Sequence, residues 1–115
     1  MTKLLLHIEG LFVFLTSVYF YAQTDVTWWL FFLCFLLPDV SMLGYVINNS
    51  IGAVIYNVGH TYFIPLVVII PSVILQQDLL LALSIIWTAH IGMDRAIGYG
   101  LKYPSNFKDT HLQKV

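Results

Sequence analysis

Histidine and aspartate side chains interrupt the long apolar stretches of this 115-residue chain. His90 and Asp94 are four residues apart, so a helix presents both on one face, while Asp39 and His60 belong to two other stretches. An imidazole and a carboxylate one helical turn apart commonly coordinate a metal ion, and this combination of ligands suits zinc, manganese or ferrous iron. We therefore predict a divalent metal held by these four residues.

The stretches that carry these residues have the length of membrane-spanning helices. A bilayer core of about 30 Å requires about 20 mainly apolar helical residues. Four segments meet this requirement, and a polar tail over 101–115 follows them: 4–22, 27–47, 51–75 and 78–98. Because the connections are only a few residues long, we expect one all-α domain, a bundle of four antiparallel transmembrane helices. Pro38 should kink the second helix, and Pro65 and Pro71 the third.

The composition supports a membrane protein and argues against several other classes. Hydrophobic residues make up 59% of the chain and charged residues 10%, with a mean hydropathy of +0.83. The near balance of five basic and six acidic residues offers no basic surface for nucleic acid, so we expect no nucleic-acid partner. Cys34 is the only cysteine, which excludes an intrachain disulfide.

The basic residues indicate the orientation in the membrane. They lie before the first helix or at and beyond the end of the fourth: Lys3, Arg95, Lys102, Lys108 and Lys114. Since positive charges favour the cytoplasmic side, both termini of this multi-pass protein are expected in the cytoplasm. Lys102 and Lys108 are expected to meet anionic lipid headgroups, and the tail to be solvated.

Helical rise places the polar residues of different helices at similar depths. Counted at about 1.5 Å per residue from the cytoplasmic end of each helix, Asp39, His60 and His90 lie about 12 to 14 Å deep. Glu9 and Asn57 lie about 8 to 9 Å deep on the same count. Ionisable groups inside a membrane are costly unless they are paired, and they usually face the bundle interior and carry function.

The charges of this polar group favour a cation. With Glu9, Asp39 and Asp94 ionised and Arg95 protonated, two negative charges remain uncompensated, and a divalent ion would neutralise them. We predict catalytic roles for Glu9 and Arg95: Glu9 either supports a metal ligand or acts as a general base on metal-bound water, a role that a ligand carboxylate could also take, and Arg95 contacts an anionic headgroup. Asn57 is predicted to orient a ligand from the second shell.

Several longer strings resemble one family of bacterial proteins. They cover much of the chain, together with the tail string 107–112: Leu37–Tyr45, Tyr56–Tyr62, His90–Arg95 and Gly98–Pro104. The family is an uncharacterised one of small membrane proteins with four helices. The resemblance implies the fold and a bacterial inner membrane location, and it supplies no activity.

A fainter similarity links the chain to the integral membrane metal-dependent hydrolases. Their pattern includes a Leu-Pro-Asp stretch, a Thr-His stretch and a later histidine with an aspartate nearby. Asp39, His60, His90 and Asp94 would match these features. The chain departs from the pattern in the middle stretch, where that family usually has two histidines and this sequence has only His60.

Three functions follow from these observations. The first is a metal-dependent hydrolase that acts on a lipid, a lipid-linked molecule or another hydrophobic small molecule in the inner leaflet. The second is a proton-coupled transporter, because small multidrug transporters are also four-helix chains with a glutamate in the first helix. The third is a noncatalytic scaffold or accessory subunit in which the polar group locks helix packing. The sequence does not indicate the oligomeric state.

Overall fold

The computed structural model describes residues 1–104 and 110–114, which are almost entirely helical. Four segments are long and apolar enough to cross a membrane: Thr2–Gln23, Trp28–Val46, Asn49–Ile74 and Asp78–Ile97. We call them the first to fourth spans. They confirm the predicted bundle of four membrane-spanning helices, with bounds close to those expected from the sequence. The cytoplasmic location of both termini stays a prediction.

Two of the four spans are divided into shorter helices. The first and fourth spans are the continuous helices α1 (Thr2–Gln23) and α5 (Asp78–Ile97), and a short helix α6 (His111–Lys114) lies in the tail. The second span consists of α2 (Trp28–Cys34) followed by a 3-10 helix over Leu37–Val46. The third span consists of α3 (Asn49–Gly59) and α4 (Phe63–Ile74).

Proline explains both breaks. A proline lacks the N–H that would bond to the carbonyl four residues earlier, and its ring clashes with that carbonyl. For Pro38 the affected residue is Cys34, where α2 ends, and for Pro65 it is Thr61, which lies between α3 and α4. The kinks predicted for the second and third spans are therefore confirmed. Pro71 lies inside α4 without ending it.

The fourth span forms the centre of the bundle. α5 packs chiefly against α1 and α4, whereas the 3-10 helix packs chiefly against α3. A buried cluster of six residues joins α5 to α1 and α2: Tyr21, Phe31, Ala82, Ile85, Ile86 and Ala89. Many large apolar side chains elsewhere are exposed, including Trp29 at 74% and Val46 at 83%. Such an apolar exterior fits a lipid environment.

Two glycines allow α1 and α5 to approach closely. A Cβ atom on Gly92 would lie 2.7 Å from the backbone nitrogen of Phe14 and 2.9 Å from the carbonyl oxygen of Gly10. A Cβ atom on Gly10 would clash with the Cβ of Arg95. Backbones in membranes come together at small residues in this way, so the crossing requires glycine on both helices.

The tail folds back onto the bundle instead of being solvated as expected. Gly98 ends α5 with a φ of 107°, and Lys102 then pairs with Thr110 in an isolated β-bridge. Lys102 is only 5% exposed and Leu112 is fully buried, so the expected contact of Lys102 with lipid headgroups is wrong. The same prediction for Lys108 lies outside the described residues.

Candidate metal centre

The four predicted ligands meet where the breaks in the second and third spans face α5. Asp39 lies in the first turn of the 3-10 helix just after the break, His60 caps the end of α3, and α5 supplies His90 and Asp94. The Nε2 atoms of His60 and His90 lie 3.2 Å apart. Each ligand offers one atom, and these four atoms all lie within 4.8 Å of one another. Three separate spans thus converge on one point.

The spacing of these atoms resembles the edges of a metal-ligand tetrahedron. His60 Nε2 lies 3.2 Å from Asp39 Oδ1 and 3.2 Å from Asp94 Oδ2, and His90 Nε2 lies 3.1 and 3.3 Å from the same oxygens. Zinc binds such atoms at about 2.0 to 2.1 Å, so neighbouring ligands of a tetrahedral site are about 3.3 Å apart. Five of the six separations therefore match a tetrahedral site, and the sixth, between the Asp39 and Asp94 oxygens, lies within 4.8 Å. The four residues could hold a divalent ion once one carboxylate turns further inward.

Hydrogen bonding determines which nitrogen of His60 carries the proton and which one turns a lone pair toward the centre. Nδ1 of His60 lies 3.0 Å from the carbonyl oxygen of Tyr56, which can only accept, so Nδ1 carries the proton. The neutral ring then turns an unprotonated Nε2 toward the carboxylates of Asp39 and Asp94. Three acceptors facing one another repel, so the arrangement requires either a metal ion or additional protons at its centre.

His90 lacks the corresponding support. Its Nδ1 is buried, and it has no hydrogen-bond partner in the part of the chain that the structure describes. The ring of Phe35 packs edge-on against it with centroids 5.5 Å apart, so packing orients this imidazole. With its proton on Nε2, His90 donates to the carboxylates, and with its proton on Nδ1, it presents a second lone pair to a metal.

The four ligands differ in their access to the surroundings. His60 and His90 are completely buried, and the side chain of Asp94 is 7% exposed, whereas that of Asp39 is 32% exposed. Asp39 is therefore the ligand that a molecule from outside the bundle reaches first. Burial of the other three costs free energy unless their charges are compensated.

The carbonyls freed by the break in the third span are bound by side chains of α5. Trp87 Nε1 donates to the carbonyl of Gly59 at 2.6 Å, and an Arg95 guanidinium nitrogen donates to that of His60 at 2.7 Å. These bonds satisfy groups that would otherwise be unpaired in the membrane. They also fix the backbone that carries His60.

Trp87→Phe tests this support. The variant removes the indole N–H, leaves the Gly59 carbonyl without that donor and preserves an aromatic ring. We expect the free energy of unfolding to fall by about 1 to 2 kcal/mol. Unfolding in mixed micelles with increasing denaturing detergent measures the change, and Trp29→Phe, at an exposed position in α2, is the matched control. Equal unfolding curves for both variants would contradict the role of this bond.

The other predicted site residues lie outside the group of four ligands. Glu9 is exposed and lines a cavity that also contains Arg95. Arg95 is buried, and besides the bond to His60 it donates to the carbonyl of Tyr99 at 2.9 Å. Asn57 donates to the carbonyl of Lys102 and accepts from its backbone N–H at 2.8 and 2.6 Å, so its amide anchors the tail.

Two residues that the sequence did not assign to the site lie beside the centre. The ring of Tyr56 stacks on His60 with centroids 3.8 Å apart, and the Lys102 ammonium lies 4.5 Å from the centroid of the Tyr56 ring. Desolvation lowers the pKa of Lys102, while the charges of Asp94 and Asp39 act in the opposite direction. The four-residue spacing from Tyr56 to His60 is the signal that identifies the stacking partner.

Comparison with known proteins gives one match. The family described as "Domain of unknown function (DUF4260)" matches residues 3–115, which include all four predicted ligands. No curated protein and no solved structure matches the chain significantly.

Proposed function

The chain belongs to the DUF4260 family, defined by a domain of unknown function, and from that premise we propose that it is a membrane metalloprotein. Asp39, His60, His90 and Asp94 hold one divalent ion of the zinc, manganese or iron class. The ion catalyses the hydrolysis of a lipid or lipid-linked substrate. The proposed location is a bacterial inner membrane.

One observation carries the metal assignment. The Nε2 atoms of His60 and His90 and the carboxylate oxygens of Asp39 and Asp94 are separated by 3.1 to 3.3 Å in five pairs. In addition, the bond from His60 Nδ1 to the Tyr56 carbonyl turns a lone pair inward. A backbone carbonyl that fixes a histidine in this tautomer is a common second-shell feature of metal sites.

Unequal burial of the ligands supports hydrolysis. His60, His90 and Asp94 form a buried set of two imidazoles and one carboxylate, a combination that catalytic zinc sites use while leaving a position for water. A bound divalent ion would activate water as a nucleophile. Asp39, the exposed fourth ligand, is then the carboxylate that gives up its coordination position to this water and accepts its proton, which is the base role that the sequence suggested for Glu9.

A second candidate function is noncatalytic, and it is favoured by His90 Nδ1, which has no hydrogen-bond partner among the described residues. A histidine that donates from Nε2 to Asp39 and Asp94 satisfies the centre with protons alone, and the group then only locks three spans together. The transporter alternative has weaker support, because Glu9 is not among the four converging residues.

Metal analysis tests the proposal. Protein purified without a histidine tag should contain about one equivalent of metal by inductively coupled plasma mass spectrometry, as expected for one site with four ligands. Asp94→Asn should lose most of it, because the amide removes a ligand charge in a buried position. Asp78→Asn, an exposed carboxylate at the start of the same helix, should keep it.

Hydrolysis is tested on the same preparations. Fluorogenic phospholipid esters in mixed micelles should be cleaved by the metal-loaded protein, and cleavage should stop with a chelator and resume with added zinc or manganese. Stoichiometric metal without cleavage of any ester would support the metal site and refute the proposed hydrolase activity. Metal-free protein that zinc does not bind would favour the noncatalytic function.

A further inference from the structure

A groove separate from the four ligands runs along the flank of the bundle between α1 and α4. Its larger part has a volume of about 680 Å³ and an almost entirely apolar lining, which includes Phe12, Leu66 and Ile85. A second cavity of about 540 Å³ adjoins it, because Phe12 and Val13 line both. We treat the two adjoining cavities together as one groove along α1.

The smaller cavity gives the groove a polar end. Its lining includes Glu9, Tyr62, Arg95 and His111, from α1, the break in the third span, α5 and the tail. A groove with an apolar body and a polar end is complementary to an amphiphilic molecule. This arrangement fits a lipid whose chain lies along α1 and whose headgroup lies under the tail.

Glu9 determines the charge of the headgroup that fits. Its side chain is exposed, lies within the first span and has no hydrogen bond or ion pair with any described residue. Arg95 does not neutralise it through a salt bridge, because its guanidinium donates to the carbonyls of His60 and Tyr99. An unpaired carboxylate is costly in a membrane, so a cation from outside the chain would be bound favourably.

His111 supplies a donor at the same end. Its Nδ1 accepts from the backbone N–H of Leu101 at 2.8 Å, so the neutral ring carries its proton on Nε2. Burial, and after it the charge of Arg95, lowers the pKa of His111, which keeps the ring neutral at pH 7. The Nε2–H of His111 and the hydroxyl of Tyr62 are donors that a phosphate oxygen can use.

We propose that this groove binds a phospholipid with an amine in its headgroup, of the phosphatidylethanolamine class. The ammonium pairs with Glu9, the phosphate accepts from His111 and Tyr62, and an acyl chain occupies the apolar part. This proposal does not depend on the metal site, since none of the four ligands lines the groove.

Native mass spectrometry of the full chain in detergent tests the proposal with two lipids of identical acyl chains, phosphatidylethanolamine and phosphatidylglycerol. The wild type should bind the amine lipid about tenfold more tightly, as expected for one charge-assisted contact. Glu9→Gln should abolish that preference, and Asp25→Asn, an exposed carboxylate outside the groove, should retain it. Equal affinities of the wild type for both lipids, or an unchanged preference in Glu9→Gln, would overturn the proposal.

A second pair of variants tests the apolar part of the groove. Thr16 lines it, whereas its exposed neighbour Leu15 does not, so tryptophan at either position adds bulk to the same helix. Thr16→Trp should weaken binding of both lipids by about tenfold, and Leu15→Trp should leave it unchanged. Equal binding by the two variants would refute this groove as the site. Metal content measured on these samples reports separately on the four-ligand centre.

Discussion

Replacing His90 by alanine should lower the affinity of the protein for zinc by more than about 100-fold, since the loss of a second-shell partner alone costs 10- to 100-fold. The variant removes a buried ligand whose Nε2 lies 3.1 to 3.3 Å from the three other ligand atoms. Competition with a chromophoric chelator measures the affinity. Cleavage of a lipid ester, if it depends on the metal, should disappear in the same variant.

His7→Ala is the matched control for this experiment. His7 also lies in a membrane span and is only partly exposed, and its Nδ1 lies 2.9 Å from the carbonyl oxygen of Ala96. This variant therefore removes an imidazole and a hydrogen bond without touching the four ligands. Zinc affinity should remain at the wild-type value. Stoichiometric metal in His90→Ala, or equal losses in both variants, would refute the assigned centre.

Gly92→Ala should destabilise the bundle by about 1 to 3 kcal/mol, the cost of overpacking a close contact. The new methyl group would meet backbone atoms of Phe14 and Gly10 at 2.7 and 2.9 Å, and backbone cannot rotate away as a side chain can. α1 must therefore shift away from α5. Unfolding by denaturing detergent, followed by circular dichroism, measures the change in free energy.

Ile97→Ala provides the control for that measurement. Ile97 lies on the same helix but is 60% exposed, so its truncation should change the stability by no more than about 0.5 kcal/mol. If Gly92→Ala is as stable as this control, the close crossing of α1 and α5 does not hold the bundle together.

The sequence alone predicted the spans and the common depth of the polar residues because both depend on position along the chain. A rise of about 1.5 Å per residue places Asp39, His60 and His90 at one depth, and the structure brings them together with Asp94. The helix breaks follow from proline chemistry that is equally local: Pro38 and Pro65 each disturb the residue four positions earlier.

The surroundings of the ligands were less predictable, because depth does not specify which way a side chain turns. Asn57 lies at the depth expected for a second-shell residue, yet its amide binds the backbone of Lys102, 45 positions along the chain. Arg95 donates to the carbonyl of His60, which is available only because the third span is broken. These contacts depend on how the tail returns and where the breaks face, which a linear pattern does not contain.

The order in which the ligands occur along the chain bears on biogenesis. Asp39 and His60 belong to the second and third spans, whereas His90 and Asp94 belong to the fourth, which leaves the ribosome after the other three. A nascent chain with three inserted spans has only half of the coordinating atoms. At the proposed metal site, loading would therefore follow insertion of the fourth span, and the bound ion would report that this span has docked against the second and third.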